Sequence, residues 1–97
     1  MATRRNWSVA EQQTIIRTYL CMVAAIAAGE TVNKAQICRS VLPQLDNRTR
    51  GSYEMKLMNV SGAMLELGLP IVAGYKPYGH AQKSLKELIL TMKGHKQ

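Results

Sequence analysis

The sequence predicts a mainly α domain of about four helices, and three observations carry that prediction. Apolar residues recur at helical spacing in four separate stretches. Each stretch is bounded by capping residues, glycine or proline. Only one short segment, Leu69-Pro70-Ile71-Val72-Ala73-Gly74, reads as extended. Ninety-seven residues hold one core, so residues 1–97 are read as a single domain.

The elements follow in order. Residues 1–7 form a basic arm carrying Arg4 and Arg5. Ser8-Val9-Ala10-Glu11 has the form of a capping box, in which the serine hydroxyl accepts from the N3 amide and Glu11 reaches back. A first helix is expected from Val9 to Ala28, with Gly29 just past its end. Its two apolar stripes, one through Ile15, Tyr19 and Ile26 and one through Ile16, Leu20 and Val23, mark it as the central helix. Asn33-Lys34-Ala35-Gln36 opens a second helix whose buried face holds Ala35, Cys38, Val41 and Leu42. Pro43 ends or kinks it near Val41.

Asp46 to Gly51 is polar loop. A third helix starts between Arg50 and Tyr53 and runs to Leu67. Tyr53, Leu57, Val60, Met64 and Leu67 make its core stripe, with Ser52, Lys56, Asn59 and Ala63 along the other side. Gly62 costs this helix about 1 kcal/mol relative to alanine, which points to close packing against another backbone. Tyr75-Lys76-Pro77-Tyr78-Gly79 suits a turn. A fourth helix is expected from His80 to Lys93, with a frayed tail over 94–97. The second and third helices form a helix-turn-helix-like pair, although the Pro43–Gly51 loop exceeds the usual three to four residues. The Leu69–Gly79 connection has the length of a small hairpin or wing.

Composition narrows the function. Apolar residues are 46% of the chain, which argues against disorder, and six methionines with no phenylalanine fill the core loosely. Thirteen Lys and Arg against six Asp and Glu give a net charge of +7. That balance suits a nucleic-acid or anionic-surface partner, the alternative being a basic protein without one. Cys21 and Cys38 both fall in apolar helical patterns and belong to no metal-ligand spacing. Buried, reduced thiols in a cytoplasmic protein are the simplest account. The apolar run Tyr19–Ala28 has ten residues, about half of what a membrane span requires. It is read as core, with no signal peptide, no membrane segment and no membrane partner.

No motif for catalysis is present, whether a Gly-rich phosphate loop, HExxH, GxSxG or a Cys–His pair with an orienting third residue. His80 reads as a surface or capping residue, and no acid–base pair is evident. The expectation is a non-enzyme without metal or cofactor.

The polar segment best suited to a ligand is Asn47 to Ser61. Helix starts favour anions through unpaired amides and the helix dipole. Arg48, Arg50, Lys56 and Asn59 share one side if the helix begins near Arg50. Arginine pairs with phosphate or guanine, and asparagine with adenine. Arg4 and Arg5 would reach a neighbouring groove, and Lys83 and Lys86 would hold phosphates. The competing reading is a solvated helix face with Arg48 paired to Asp46 or Arg50 to Glu54. Tyr75 and Tyr78 either cover the core or offer a ring for base stacking. Trp7 reads as an apolar anchor at the entry to the first helix.

The spacing R-x-R-G-S-x-E-x-K-x-x-N-x-S over Arg48–Ser61, then Leu67-Gly68-Leu69-Pro70, then Gly74-Tyr75-Lys76-Pro77 and Gln82, resembles a bacterial family related to restriction endonucleases. The resembling part there is an N-terminal helical domain that often precedes an HNH nuclease module. The resemblance spans about Trp7 to Ile89. It implies a DNA-binding role, modified DNA included, and singles out Arg48, Arg50, Ser52, Glu54, Lys56, Asn59 and Lys76. It leaves open a domain of a larger enzyme or a free-standing phage or mobile-element relative.

The functional expectation is thus a non-catalytic module for double-stranded DNA, associated with a restriction-like nuclease. Its contact set is Arg48, Arg50, Ser52, Lys56, Asn59, Lys76, Arg4, Arg5, Lys83 and Lys86, with Arg48, Arg50, Ser52 and Lys56 as the narrower choice. The alternative is a phage or mobile-element interaction module that inhibits or adapts a host defence complex acting on nucleic acid. The oligomeric state stays open.

Overall fold

The computed structural model describes residues 7–79 and 81–94. The expectations placed on Arg4, Arg5, His80 and residues 95–97 lie outside these. Four α-helices are present: α1 Val9–Ala27, α2 Lys34–Val41, α3 Arg50–Glu66 and α4 Lys83–Gly94. No strand occurs among the described residues, and no helix there is long and apolar enough to cross a membrane.

Local chemistry sets most boundaries. The capping box of α1 is complete: Glu11 N donates to Ser8 Oγ at 3.1 Å, and Ser8 N donates to Glu11 Oε1 at 3.1 Å. Asn33 caps α2 by accepting from Gln36 N. At Pro43 the helix tightens into a 3-10 turn over Leu42–Gln44 instead of breaking. Asn47 then takes a left-handed conformation with φ 56°, which asparagine tolerates better than most residues. Thr49 caps α3 through Ser52 N at 3.1 Å. α4 begins later than the sequence pattern suggests, because Ala81 N donates to Glu66 Oε2 and so ties the chain to α3 before the helix starts.

α1 and α3 share the centre of the domain, and α3 has the widest buried face. α1 and α4 both pack on α3 and on each other, and the 69–79 connection covers another side. Tyr53, Leu57, Val60, Ser61, Gly62, Ala63 and Met64 are consequently all buried. The carboxy-terminal third of α1 is left uncovered, with Ile26 and Ala27 exposed. Cys21 lies on that open side, so only Cys38 is a buried thiol, and neither cysteine is in a disulfide.

The connection neither pairs as a hairpin nor projects as a wing; it folds onto α3. Val72 N donates to Tyr19 Oη at 2.7 Å, and the same hydroxyl meets Ser61 Oγ at 2.5 Å. One buried phenol thus joins α1, α3 and the connection. Tyr78 N donates to Met58 O at 3.3 Å, laying the loop across the Gly62 side of α3. A Cβ built on Gly62 would stand 3.0 Å from Tyr78 O and 3.3 Å from Tyr78 N, which is the close backbone approach that its helical cost implies.

Gly62→Ala is expected to destabilise the fold by about 1–2 kcal/mol, because the clash with a tethered backbone outweighs the propensity gain. Gly51→Ala, where only Thr49 Oγ1 comes within 4.0 Å, should instead stabilise by up to about 1 kcal/mol. Thermal melts of the two variants compare the signs directly.

Candidate nucleic-acid interface

The residues expected to share one side of α3 divide between two flanks. A helix turns about 100° per residue, so six residues separate the directions of Arg50 and Lys56 by about 120°. What each flank does follows from its neighbours.

The first flank is built around Glu11. Its carboxylate receives a two-pronged guanidinium: Arg48 Nε donates to Oε2 at 3.0 Å and Nη2 to Oε1 at 2.9 Å. Asp46 N adds a bond to Oε2 at 2.9 Å. Glu11 is only 8% exposed and the Arg48 side chain 7%. The hydrogen bonds from Arg48, helped by Asp46 and Ser8 amides and opposed by burial, lower the Glu11 pKa from the ordinary 4.5 to about 2. The Arg48 guanidinium lies 4.2 Å from the centre of the Trp7 ring, and Lys56 Nζ lies 5.5 Å from the same centre. Arg48 is thus tied to Glu11 rather than to Asp46 alone, and its fork joins α1 to the loop before α3. As a contact to ligand it is poorly placed.

Lys56 belongs to this flank and is buried, although the sequence pattern sets it on the polar side with Asn59. Trp7 and α4 widen the buried arc of α3 to include it. Burial, and then the nearby Arg48 charge, lower its pKa. With Asn59, Ala81, Gln82 and Leu85 it lines a pocket of about 170 Å³ between α3 and the start of α4. Ser52 is half-buried, its amide held by Thr49. Lys86 is paired with Glu66 at 3.0 Å, while Lys83 is exposed.

The second flank gathers exposed charge. The side chain of Arg50 is 63% exposed and pairs with Glu54 one turn on, Nε donating to Oε2 at 3.1 Å. Lys34, first residue of α2, donates to Ala73 O and stands 4.9 Å from the centre of the Tyr75 ring. Arg50 and Glu54 act electrostatically on the same tyrosine. Lys34 at the start of α2 therefore meets Tyr75, on which Arg50 and Glu54 of α3 also act. Lys76 follows it, exposed. The two loop tyrosines divide between the readings open to them: Tyr75 is buried core cover, while Tyr78 is 52% exposed.

Sequence reasoning did not find Lys34 or the double role of Glu11. The capping box signals that Glu11 has a carboxylate facing inward, but nothing local signals that Arg48 will meet it. Lys34 meets Tyr75 only through the tertiary path of the connection. Among the described residues no three His, Cys, Asp or Glu side chains come together as a metal cluster would require. Comparison of the chain with family models, curated proteins and solved structures returned no match in any of the three.

Glu11→Gln is expected to cost roughly 3 kcal/mol, because it leaves the Arg48 charge buried against a neutral amide. The pH dependence has a definite sign. Glu11 has a lowered folded-state pKa, so its contribution is complete above about 4.5 and is lost as pH falls toward about 2. Denaturant titrations from pH 6 to about 2.5 should show a steep decline in stability that the Gln variant lacks in part.

Proposed function

We propose that this chain is a non-catalytic domain for double-stranded DNA, of the kind that the Arg48–Ser61 and Gly74–Pro77 pattern accompanies in restriction-like nucleases. The observation that carries the reading is the meeting of Lys34, at the amino-terminus of α2, with Tyr75, on which Arg50 at the amino-terminus of α3 also acts electrostatically. Amino-terminal amides and dipoles favour phosphate, and the lysines and arginine add charge. Tyr78, 52% exposed elsewhere on the domain, is a second ring open to solvent.

Charge distribution supports the same reading. Among the described residues Glu11, Glu54 and Glu66 lie in ion pairs. Among the described residues Arg17, Arg39, Lys76, Lys83 and Lys93 are exposed and carry no ion pair. In this reading Arg48 shapes the domain, while Arg50, Lys76 and Lys83 meet phosphates. Reading of a modified base, or attachment to a nuclease module, belongs to the same proposal.

Fluorescence titration of a labelled duplex at several salt concentrations tests it. Affinity should fall steeply with salt, and Arg50→Ala or Lys76→Ala should each make the log–log dependence shallower by about 0.9 for every phosphate no longer neutralised. Their thermal midpoints should stay near that of the parent, since both side chains are exposed. Absence of duplex binding at low salt would remove the reading.

A further inference from the structure

Lys56 is the cation whose surroundings the fold leaves unexplained. It is 7% exposed, yet among the described residues it has no carboxylate partner and no hydrogen-bond acceptor. It faces a tryptophan ring at 5.5 Å and another cation, Arg48. A buried ammonium ion in such company is costly unless an anion completes it. Its Nζ is not sealed in: the one sealed side-chain polar atom without a partner among the described residues is Tyr53 Oη. Lys56 lines a pocket at the start of α4.

That pocket has the features of an oxyanion cradle. Its volume of about 170 Å³ is well above the ~10–15 Å³ that one water needs on the same measure, and leaves room for a small oxyanion. Asn59 and Gln82 line it with carboxamides whose NH₂ groups can donate. Gln82 immediately precedes Lys83, the first residue of α4, so the positive end of a 12-residue helix lies at the wall. Among its described lining residues there is no acid, and nearby Glu66 is engaged by the Ala81 amide at 3.1 Å and by Lys86 at 3.0 Å. These contacts fix the Ala81–Gln82 segment against α3 and set a cation beside the acid.

We propose that the pocket formed by Lys56, Asn59 and Gln82 at the start of α4 binds a phosphate-type oxyanion, with the Lys56 ammonium as its charge and the two carboxamides as directional donors. The ligand is either free phosphate, including a small phosphoester, or a backbone phosphate of a nucleic acid. The site stands on Lys56 and its pocket, not on the Tyr75 edge, so it does not depend on the duplex reading.

The test is a ¹⁵N-resolved NMR titration of the whole chain with inorganic phosphate, ionic strength held constant with chloride. Saturable shifts are expected at Lys56, Asn59, Ala81, Gln82 and Leu85, with the Lys56 ammonium pKa rising as phosphate binds. Lys56→Met should weaken binding by about tenfold or more, the loss expected for a charged hydrogen-bond donor. Gln82→Ala, at an exposed position, should weaken it less while leaving the fold intact, and keeps the test valid if the methionine variant does not fold. Non-saturating shifts, or equal phosphate binding by the parent and both variants, would overturn the site. Adding a short duplex to the phosphate-loaded protein separates the sources. Displacement assigns the oxyanion to a nucleic-acid backbone, and phosphate retained alongside bound duplex, or without any duplex binding, assigns it to a free phosphate compound.

Discussion

The carboxylate of Glu11 is the constraint on which the rest of this domain depends. It closes the capping box of α1, receives both prongs of Arg48 and accepts the Asp46 amide. The start of the first helix and the loop that launches the third are thereby held by one group. The position of Arg48 fixes that of Trp7, whose ring is partly buried against the core and faces two cations. A carboxylate with this many donors is held ionised by its surroundings. Losing either partner exposes the other to an uncompensated burial cost, which makes the pair a determinant of geometry more than a simple source of stability.

A second fastening, the Tyr19 hydroxyl, acts at the other end of the core. It meets Ser61 on α3 and accepts from Val72 in the connection. Together with the close approach at Gly62, it lays the 69–79 segment flat on α3. This is why the segment makes no hairpin: its backbone bonds go to α1, α2, α3 and its own turn instead of to a partner strand. The same path carries Ala73 and Tyr75 to the beginning of α2, so their meeting with Lys34 is a consequence of where the connection is fastened.

Much of the fold is legible in the sequence because local rules suffice for it. Caps at Ser8 and Asn33, the proline at 43 and the apolar stripe of α3 each specify an element within a few residues. The cost of Gly62 even foretells a backbone contact, though not that Tyr78 provides it. The site is less legible, since helical spacing gives the direction of a side chain but not what covers it. Lys56 sits where a polar face is expected, and Trp7 and the Ala81–Leu85 segment then enclose it. Arg48 reads as a ligand contact because its partner, Glu11, lies far away in sequence. The polar residues of the Arg48–Ser61 segment therefore have a large structural content. Arg48 holds a loop, Thr49 caps, Glu54 steadies Arg50 and Ser61 meets Tyr19.

The charge of +7 acquires meaning only after these internal uses are set aside. An exposed lysine keeps its water shell and needs no partner, so the solvent-facing cations imply attraction to anions without specifying any geometry. A buried lysine has no such freedom. Lys56 is deprived of most of its water and faces Arg48, and its pKa is lowered in consequence. An anion that reaches it is bound by a charge already desolvated and already oriented, so little reorganisation opposes binding. The same anion relieves a penalty that the fold otherwise carries, and by linkage it stabilises the domain as its concentration exceeds its dissociation constant. The buried cation and the exposed ones are in that sense different devices: the surface charges set how strongly the domain is drawn to an anionic partner, and Lys56 sets where one anionic group can be held.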